Sequence, residues 1–147
     1  MKRMVTIRDY RHDDAAELVP LLEELGHPSD VARVCRRISR IHARAAGDRI
    51  LVASDEESVV GLLTIHFTPV IHRDAEVGRV TALVVASRAR RLGIGALLMA
   101  EAETIVRGAE ATRIEVTSGR DRPGAHAFYG RLGYVDEGIR FAKTLNE

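Results

Sequence analysis

Residues 88–99, RARRLGIGALLM, set three arginines against two glycines and then turn apolar. Gly93 and Gly95 stand in G-x-G spacing. Without side chains, the backbone at those positions can approach a ligand closely and take positive φ. A helix starting there leaves its first N–H groups unpaired and pointing outward. Together with the helix dipole, those groups favour an anion such as phosphate. Arg90 and Arg91 add full charges beside them, as can Arg88. The bland alternative is a glycine turn that serves strand-to-helix geometry alone. Two phosphate-binding patterns fail on spacing. A dinucleotide fingerprint needs a third glycine where this chain has Leu98, and a P-loop needs a lysine that this stretch lacks. What remains is R-x-x-G-x-G over Arg90–Gly95, directly after an apolar run.

Other residues able to do chemistry are scattered. Tyr129 sits beside Phe128 in AHAFYGRLGY (125–134) and is either an acid or a core aromatic. His72 and Glu76 lie in the polar stretch 68–76 and are either proton acceptors or surface groups. His66 and His72, with Asp74 nearby, match no strong metal-ligand spacing, so no metal is expected. The single cysteine, Cys35, excludes an internal disulfide and reads as a small buried hydrophobe.

These residues need a scaffold. MVTIRDY (4–10) alternates and predicts a strand. Residues 12–26 have helical spacing, an acidic first turn and Gly26 as a stop, with a kink or a late start expected from Pro20. Residues 29–47 predict a second helix capped by Ser29 or Asp30 and closed by Gly47. Its apolar stripe is Val31, Val34, Cys35, Ile38 and Ile41. Arg33, Arg36, Arg37, Arg40 and Arg44 lie mostly off that stripe, as a solvated face or as a wall for an anionic ligand. The runs 49–55 and 58–67 predict a hairpin. The nearly continuous apolar run 77–87 predicts a central strand covered on both faces. After the glycine turn come a helix to about Gly108, a strand over 111–119, a helix over 122–133 and two short strands over 134–145. This order suggests a mixed α/β (α+β) fold, a mixed sheet with helices on both faces, in one domain over 1–147.

Composition bounds the function. The chain has 147 residues, 46% apolar and 29% charged, with a formal net charge of +1. That balance lacks the basic field of a nucleic-acid binder. No apolar run approaches the roughly 20 residues of a membrane span, and the start lacks a secretory h-region. A cytoplasmic protein without nucleic-acid or membrane partners is expected.

Taken together, two motifs resemble the GCN5-related N-acetyltransferase superfamily. That family carries Q/R-x-x-G-x-G/A in a strand–turn–helix setting, matched here by Arg90, Gly93 and Gly95. It also carries A-x-x-F-Y-x-x-x-G-F/Y, matched by Ala125, Phe128, Tyr129, Gly133 and Tyr134. The tail is most similar to the small-amine branch, with its aminoalkylphosphonate and aminoglycoside acetyltransferases. The resemblance implies a mostly antiparallel twisted sheet with acetyl-CoA as cosubstrate in a cleft beside the central strand, an amine acceptor and a homodimeric assembly. It implies that the backbone of Leu83, Val84 and Val85 holds the pantetheine arm like an added strand. It implies that N–H groups around Arg91, Leu92, Gly93, Ile94, Gly95 and Ala96 hold the pyrophosphate. Tyr129 would be the acid to the departing sulfur.

The chain departs from the family at two points. Many members place a glutamate eleven residues before the Q/R position, and here that residue is Arg79, which cannot accept a proton. Glu76 or His72, acting through water, or an acceptor that arrives deprotonated, could fill the role. Arg122 stands where many members have a cofactor-contacting asparagine and could reach the phosphates instead. The missing glutamate keeps a second reading open, a degenerate acyl-CoA-binding sensor or interaction module. A nucleotide-binding regulator is a third.

Overall fold

The computed structural model describes residues 4–117 and 123–146, which fall into two compact units divided after Thr117. The first unit is built on a five-stranded sheet with strands in chain order: β1 (Thr6–Asp9), β2 (Arg49–Ser54), β3 (Val59–Thr68), β4 (Val77–Val85) and β5 (Ile114–Val116). Neighbours are antiparallel except β4 and β5, which are parallel. The sheet is therefore mixed and mostly antiparallel, as the family resemblance implies.

Three helices belong to this unit: α1 (Ala15–Leu25), α2 (Val31–Ala43) and α3 (Ile94–Gly108). α1 follows one 3-10 turn at His12–Asp14 and runs through Pro20 before ending at Gly26. The helix thus starts five residues before Pro20 and carries the proline in its interior, so the proline does not set a late start. Asp30 caps α2, its carboxylate accepting from the Arg33 N–H at 2.8 Å. Val34 and Ile38 of the predicted stripe are buried, whereas Val31 is 45% exposed at the first turn.

α3 lies close against one sheet face. A Cβ added at Gly78 would stand 2.6 Å from Val106 of α3, and one added at Gly61 would stand 3.1 Å from Leu98. The absence of side chains lets the helix approach β3 and β4 this closely. Gly61, Leu63, Ile65 and Phe67 of β3 share this face with their partners Val85, Leu83, Val80 and Gly78 of β4. Packed there are Leu63, Ile65, Val80, Ile94, Leu98 and Met99, each with at most 2% of its surface exposed. α1 packs on β3 and β4 and on α2. The other face of the sheet carries Val60, Leu62, Thr64 and His66.

The β3–β4 ladder has one irregularity. Thr64 pairs with Ala82 and Ile65 with Val80, so Thr81 is an extra residue in β4, a β-bulge. Its hydroxyl lies 2.8 Å from that of Thr64. Bulges bend a strand and raise its twist, and this one sits one residue past the last β4–β5 pair, Val80–Val116.

The second unit contains α4 (Pro123–Arg131), which ends at a Gly133 turn. Residues 134–146 have no regular secondary structure, which corrects the expectation of two short strands there. Val135, Ile139, Phe141 and Leu145 do fall on one side of an alternating pattern, but all are well exposed. Alternation alone does not hold a strand without a partner ladder, and no ladder among the described residues includes this stretch.

Candidate functional site

β4 ends at Val85, and the Ala86 N–H still bonds back to Val60 at 2.8 Å. A 3-10 turn at Ser87–Ala89 leads into the glycine turn, and α3 opens at Ile94. Gly93 has φ +77° with nothing within 4 Å of where a Cβ would be. The backbone is thus left-handed there, and the space beside it is open. Arg91 also has φ +66°, unusual for a residue with a side chain. Such strain gathers at functional turns, where the surroundings over-determine the backbone.

The first helical bond of α3 runs from the Leu97 N–H to the Gly93 carbonyl at 3.1 Å. No side chain caps the helix. Among the described residues, the N–H groups of Arg91 through Ala96 therefore have neither a backbone acceptor nor a capping partner. Six consecutive N–H donors at a helix N-terminus are the kind of cradle that favours an anion.

The three arginines divide their work. Arg88 donates to the Ser58 hydroxyl at 2.8 Å. Arg90 turns back, its Nε donating to the Val85 carbonyl at 3.4 Å. The Arg91 side chain is exposed and meets no partner among the described residues. A carboxylate not singled out in the sequence braces the same turn. Glu24, from the end of α1, accepts from the Ser87 hydroxyl and, at 3.1 Å, from the Ser87 N–H. The Ser87 hydrogen bond, aided by the charges of Arg90 and Arg88, holds the Glu24 carboxyl below its usual range.

β4 continues for five residues beyond its last pair with β5. Among the described residues, the edge of Thr81–Val85 on that side has no strand partner. Leu83 and Val85 are half-buried, and Val84 is buried. A backbone edge of this kind, leading into a turn of unpaired N–H donors, suits an extended ligand that bears a phosphate at one end.

At the other end of β4, His72 and Glu76 line an open cavity of about 440 Å³ with Arg113. Glu76 stands six ladder positions from the Leu63–Leu83 pair, about 20 Å at 3.3 Å per residue. The structure brings Leu83–Val85 and Arg90–Ala96 together and sets Glu76 and His72 apart from them.

Between these ends the sheet face is polar. Arg79 donates to Glu115 at 3.1 Å, and Arg113 donates to the same carboxylate at 3.2 Å. Burial pushes the Glu115 carboxyl up, but the two guanidinium hydrogen bonds outweigh it and hold the group below its usual range. Opposite Arg79 in the ladder is His66, whose Nδ1 lies 3.1 Å from Asp48. The Asp48 side chain is 1% exposed and also takes the Phe67 N–H at 3.0 Å and Arg44 at 3.1 Å. The sequence offers His66 only as a metal-ligand candidate, in a spacing that does not fit one. The sequence held no signal for its partner Asp48, 18 positions away.

In the second unit, the Tyr129 ring meets Phe128 and Tyr134 edge-on, with centroids 5.1 and 5.9 Å away. Arg122 lies outside the described residues. All five arginines of the α2 region are exposed. Arg33 pairs with Asp30, Arg37 with Ser29 and Arg44 with Asp48, while Arg36 and Arg40 have no partner among the described residues. Among the described residues no helix is long and apolar enough to cross a membrane, and no cluster of three His, Cys, Asp or Glu could hold a metal ion.

Known proteins share both the sequence pattern and the fold. Over 87 residues the chain is 37% identical to an aminoalkylphosphonate N-acetyltransferase of Salmonella typhimurium. That match covers 59% of this chain and 56% of the relative. The fold is similar to that of glucosamine-6-phosphate N-acetyltransferase from Arabidopsis thaliana, with TM-score 0.84, 17% identity, and 97% and 99% of the two chains covered. It is also similar to an aminoglycoside antibiotic 6'-N-acetyltransferase from Acinetobacter haemolyticus, with TM-score 0.76, 18% identity, and 96% and 99% covered. A transcriptional regulator from Bacillus halodurans C-125 superposes with TM-score 0.85 at 23% identity, covering 97% and 100%. The acetyltransferase (GNAT) family pattern itself matches residues 10–134, carrying both the cradle and the strand edge, and the chain belongs to that family.

Proposed function

We propose that this chain is an acetyl-CoA-dependent N-acetyltransferase that moves an acetyl group to the primary amine of a small molecule by direct attack in a ternary complex. The observation that carries the proposal is the run of unpaired N–H groups from Arg91 to Ala96, directly continuous with the open edge of β4. A pyrophosphate suits the first feature, and an amide-bearing arm suits the second. Holding thioester and amine side by side can supply about 7–11 kcal/mol of the barrier. An N–H on the Leu83–Val85 edge then polarises the thioester carbonyl, and the proposed acid to the sulfur is Tyr129.

The acceptor class rests on the relative that acts on aminoalkylphosphonates and on the exposed Arg36 and Arg40, four residues apart on α2. An acceptor with an acidic or phosphonate group fits that charge. A cytoplasmic homodimer belongs to the same proposal, and light scattering tests the assembly.

The experiment is a thermal-shift assay with acetyl-CoA, followed by thiol detection with a panel of amines that includes 2-aminoethylphosphonate. Acetyl-CoA raises the melting temperature because only the native state binds it, and at least one amine releases free thiol. Binding without thiol release from any amine would favour a sensor over an enzyme. No shift at all would return the glycine turn to a purely geometric role.

A further inference from the structure

The proposed transfer needs a proton acceptor, because an alkyl ammonium has a pKa of about 10 and only the free amine attacks. Arg79 cannot accept a proton, and Glu76 is about 20 Å along the strand from Leu83. The polar sheet face between them narrows the choice. The Thr64 and Thr81 hydroxyls bond each other at 2.8 Å. Glu115 is taken by Arg79 and Arg113 and held in its ionised form. His66 differs from all of these.

An ionised carboxylate only accepts hydrogen bonds. The 3.1 Å contact between Asp48 and the His66 ring therefore places the ring proton on Nδ1. In the neutral ring Nε2 then carries the lone pair, and it has no partner among the described residues. No buried side-chain nitrogen or oxygen among them is without a partner, so Nε2 must reach solvent. Asp48 cannot swing away. Its side chain is 1% exposed and pinned by the Phe67 N–H and by Arg44. It fixes the tautomer and the ring direction, as a carboxylate behind an acting imidazole must.

The position suits the task. His66 is three ladder positions from the Leu63–Leu83 pair, about 10 Å along the sheet. That is half the distance of Glu76, and an amine or one bridging water spans what the side chain does not. Thr81 bulges from β4 on this stretch and breaks the regular ladder beside the ring.

We propose, resting on the acetyltransferase reading, that His66 is the proton acceptor for the substrate amine and that Asp48 is its positioning residue. Nε2 takes one proton from the ammonium, directly or through one water. The freed nitrogen lone pair attacks the thioester carbon, forming the N–C bond. Collapse breaks the C–S bond, and the sulfur leaves with the electron pair and is protonated. Of the two protons left on the nitrogen one is lost to solvent and the other stays as the amide N–H, the sulfur takes its proton from the proposed acid Tyr129, and His66 gives its proton to solvent. The charged groups around the ring are Asp48 before β2, Arg44 at the end of α2, Arg79 on β4, Glu115 on β5 and Arg113 just before β5.

The test compares wild type with His66→Gln, using the best amine from the panel and 2-aminoethylphosphonate. His66→Gln should lower kcat about 10²–10⁴-fold at neutral pH, the range of general-base catalysis. It should leave the acetyl-CoA thermal shift and KM within about twofold, and it should abolish the acidic limb of the kcat/KM profile. Long-range ¹H–¹⁵N spectra, with the variant as the assignment, should show Nδ1 protonated and Nε2 bare. Asp48→Asn should turn the ring over and weaken that signature. A fully active His66→Gln protein, a surviving acidic limb, or a proton found on Nε2 overturns the proposal while leaving the acetyltransferase reading intact. A wild-type protein that binds acetyl-CoA but turns over no amine overturns both.

Discussion

Arg90 and Arg91 are adjacent in sequence and do different things. Arg90 ties the turn to the end of β4 through the Val85 carbonyl, whereas Arg91 stands free in a left-handed backbone. Arg91→Ala removes the charge and keeps the backbone strain, so steady-state kinetics should show the KM for acetyl-CoA rising about five- to tenfold with kcat nearly unchanged. A phosphate contact remote from the reacting carbon is made equally in ground and transition states. Tyr129→Phe should do the reverse, lowering kcat about 10²-fold with little change in KM or melting temperature, because the edge-on contacts with Phe128 and Tyr134 need only the ring. The kcat defect should shrink as pH rises and the thiolate leaves unaided. Full activity at neutral pH would make Tyr129 a packing residue.

The elements are where sequence reasoning reads best. The hairpin β2–β3, the capped helix α2 and the strand–turn–helix at 77–108 follow from alternation, cap chemistry and glycine placement, all of which are local. The cradle was legible for the same reason, since its donors and charges lie within one short stretch. What was not legible depends on register. His66 meets Asp48 only because β3 extends past the start of β2, and Glu24 reaches Ser87 only because α1 ends above the turn. The stretch 134–145 shows the opposite failure, alternation with no ladder to hold it. At this scale Gly93→Ala should cost about 1–2 kcal/mol in urea unfolding, the price of a left-handed residue with a Cβ, even though nothing crowds the position. Gly95→Asp should fold and lose the acetyl-CoA thermal shift, because it puts a negative charge among the six donors.

For the first unit as a whole, the most buried of the carboxyls held below their usual range is Asp14. Arg8 on β1 holds Asp14 with two hydrogen bonds of 2.8 and 2.9 Å, and the Arg11 N–H adds a third of 2.7 Å. The Asp14 residue is 5% exposed. The Arg8 hydrogen bond outweighs burial and lowers the Asp14 pKa. A carboxyl whose folded pKa is depressed adds stability above its unfolded pKa, about 3.9. That stability is lost as pH falls through the folded value. Asp14→Asn should therefore cost about 2 kcal/mol at neutral pH, in the range for hydrogen bonds to charged groups. It should also flatten the fall in melting temperature below about pH 4. Calorimetry of both proteins from pH 7 to pH 3 checks this, and parallel curves would show that the pair is not what acid undoes.

The bulge at Thr81 changes how β4 must be counted. Before it, even-numbered residues (Gly78, Val80) face α3. After it, odd-numbered ones do (Leu83, Val85). A reader who carries one parity through the strand assigns half of it to the wrong side, which is why the apolar run looked continuous rather than alternating. Excising Thr81 would restore a single parity without moving any core residue off its face, because Val80 would then be followed by Ala82 opposite Thr64 and Leu83 opposite Leu63. The shortened chain should fold, losing only a few degrees in melting temperature, although deletion inside a central strand ordinarily turns every later side chain over. Its catalytic rate should fall far more than its stability, since the irregularity lies on the stretch of β4 that leads to the Leu83–Val85 edge. Thr81 thus behaves as an insertion that the core never registers, and a gap at this position in a comparison with a straight-stranded protein would mark a difference in the cleft rather than in the fold.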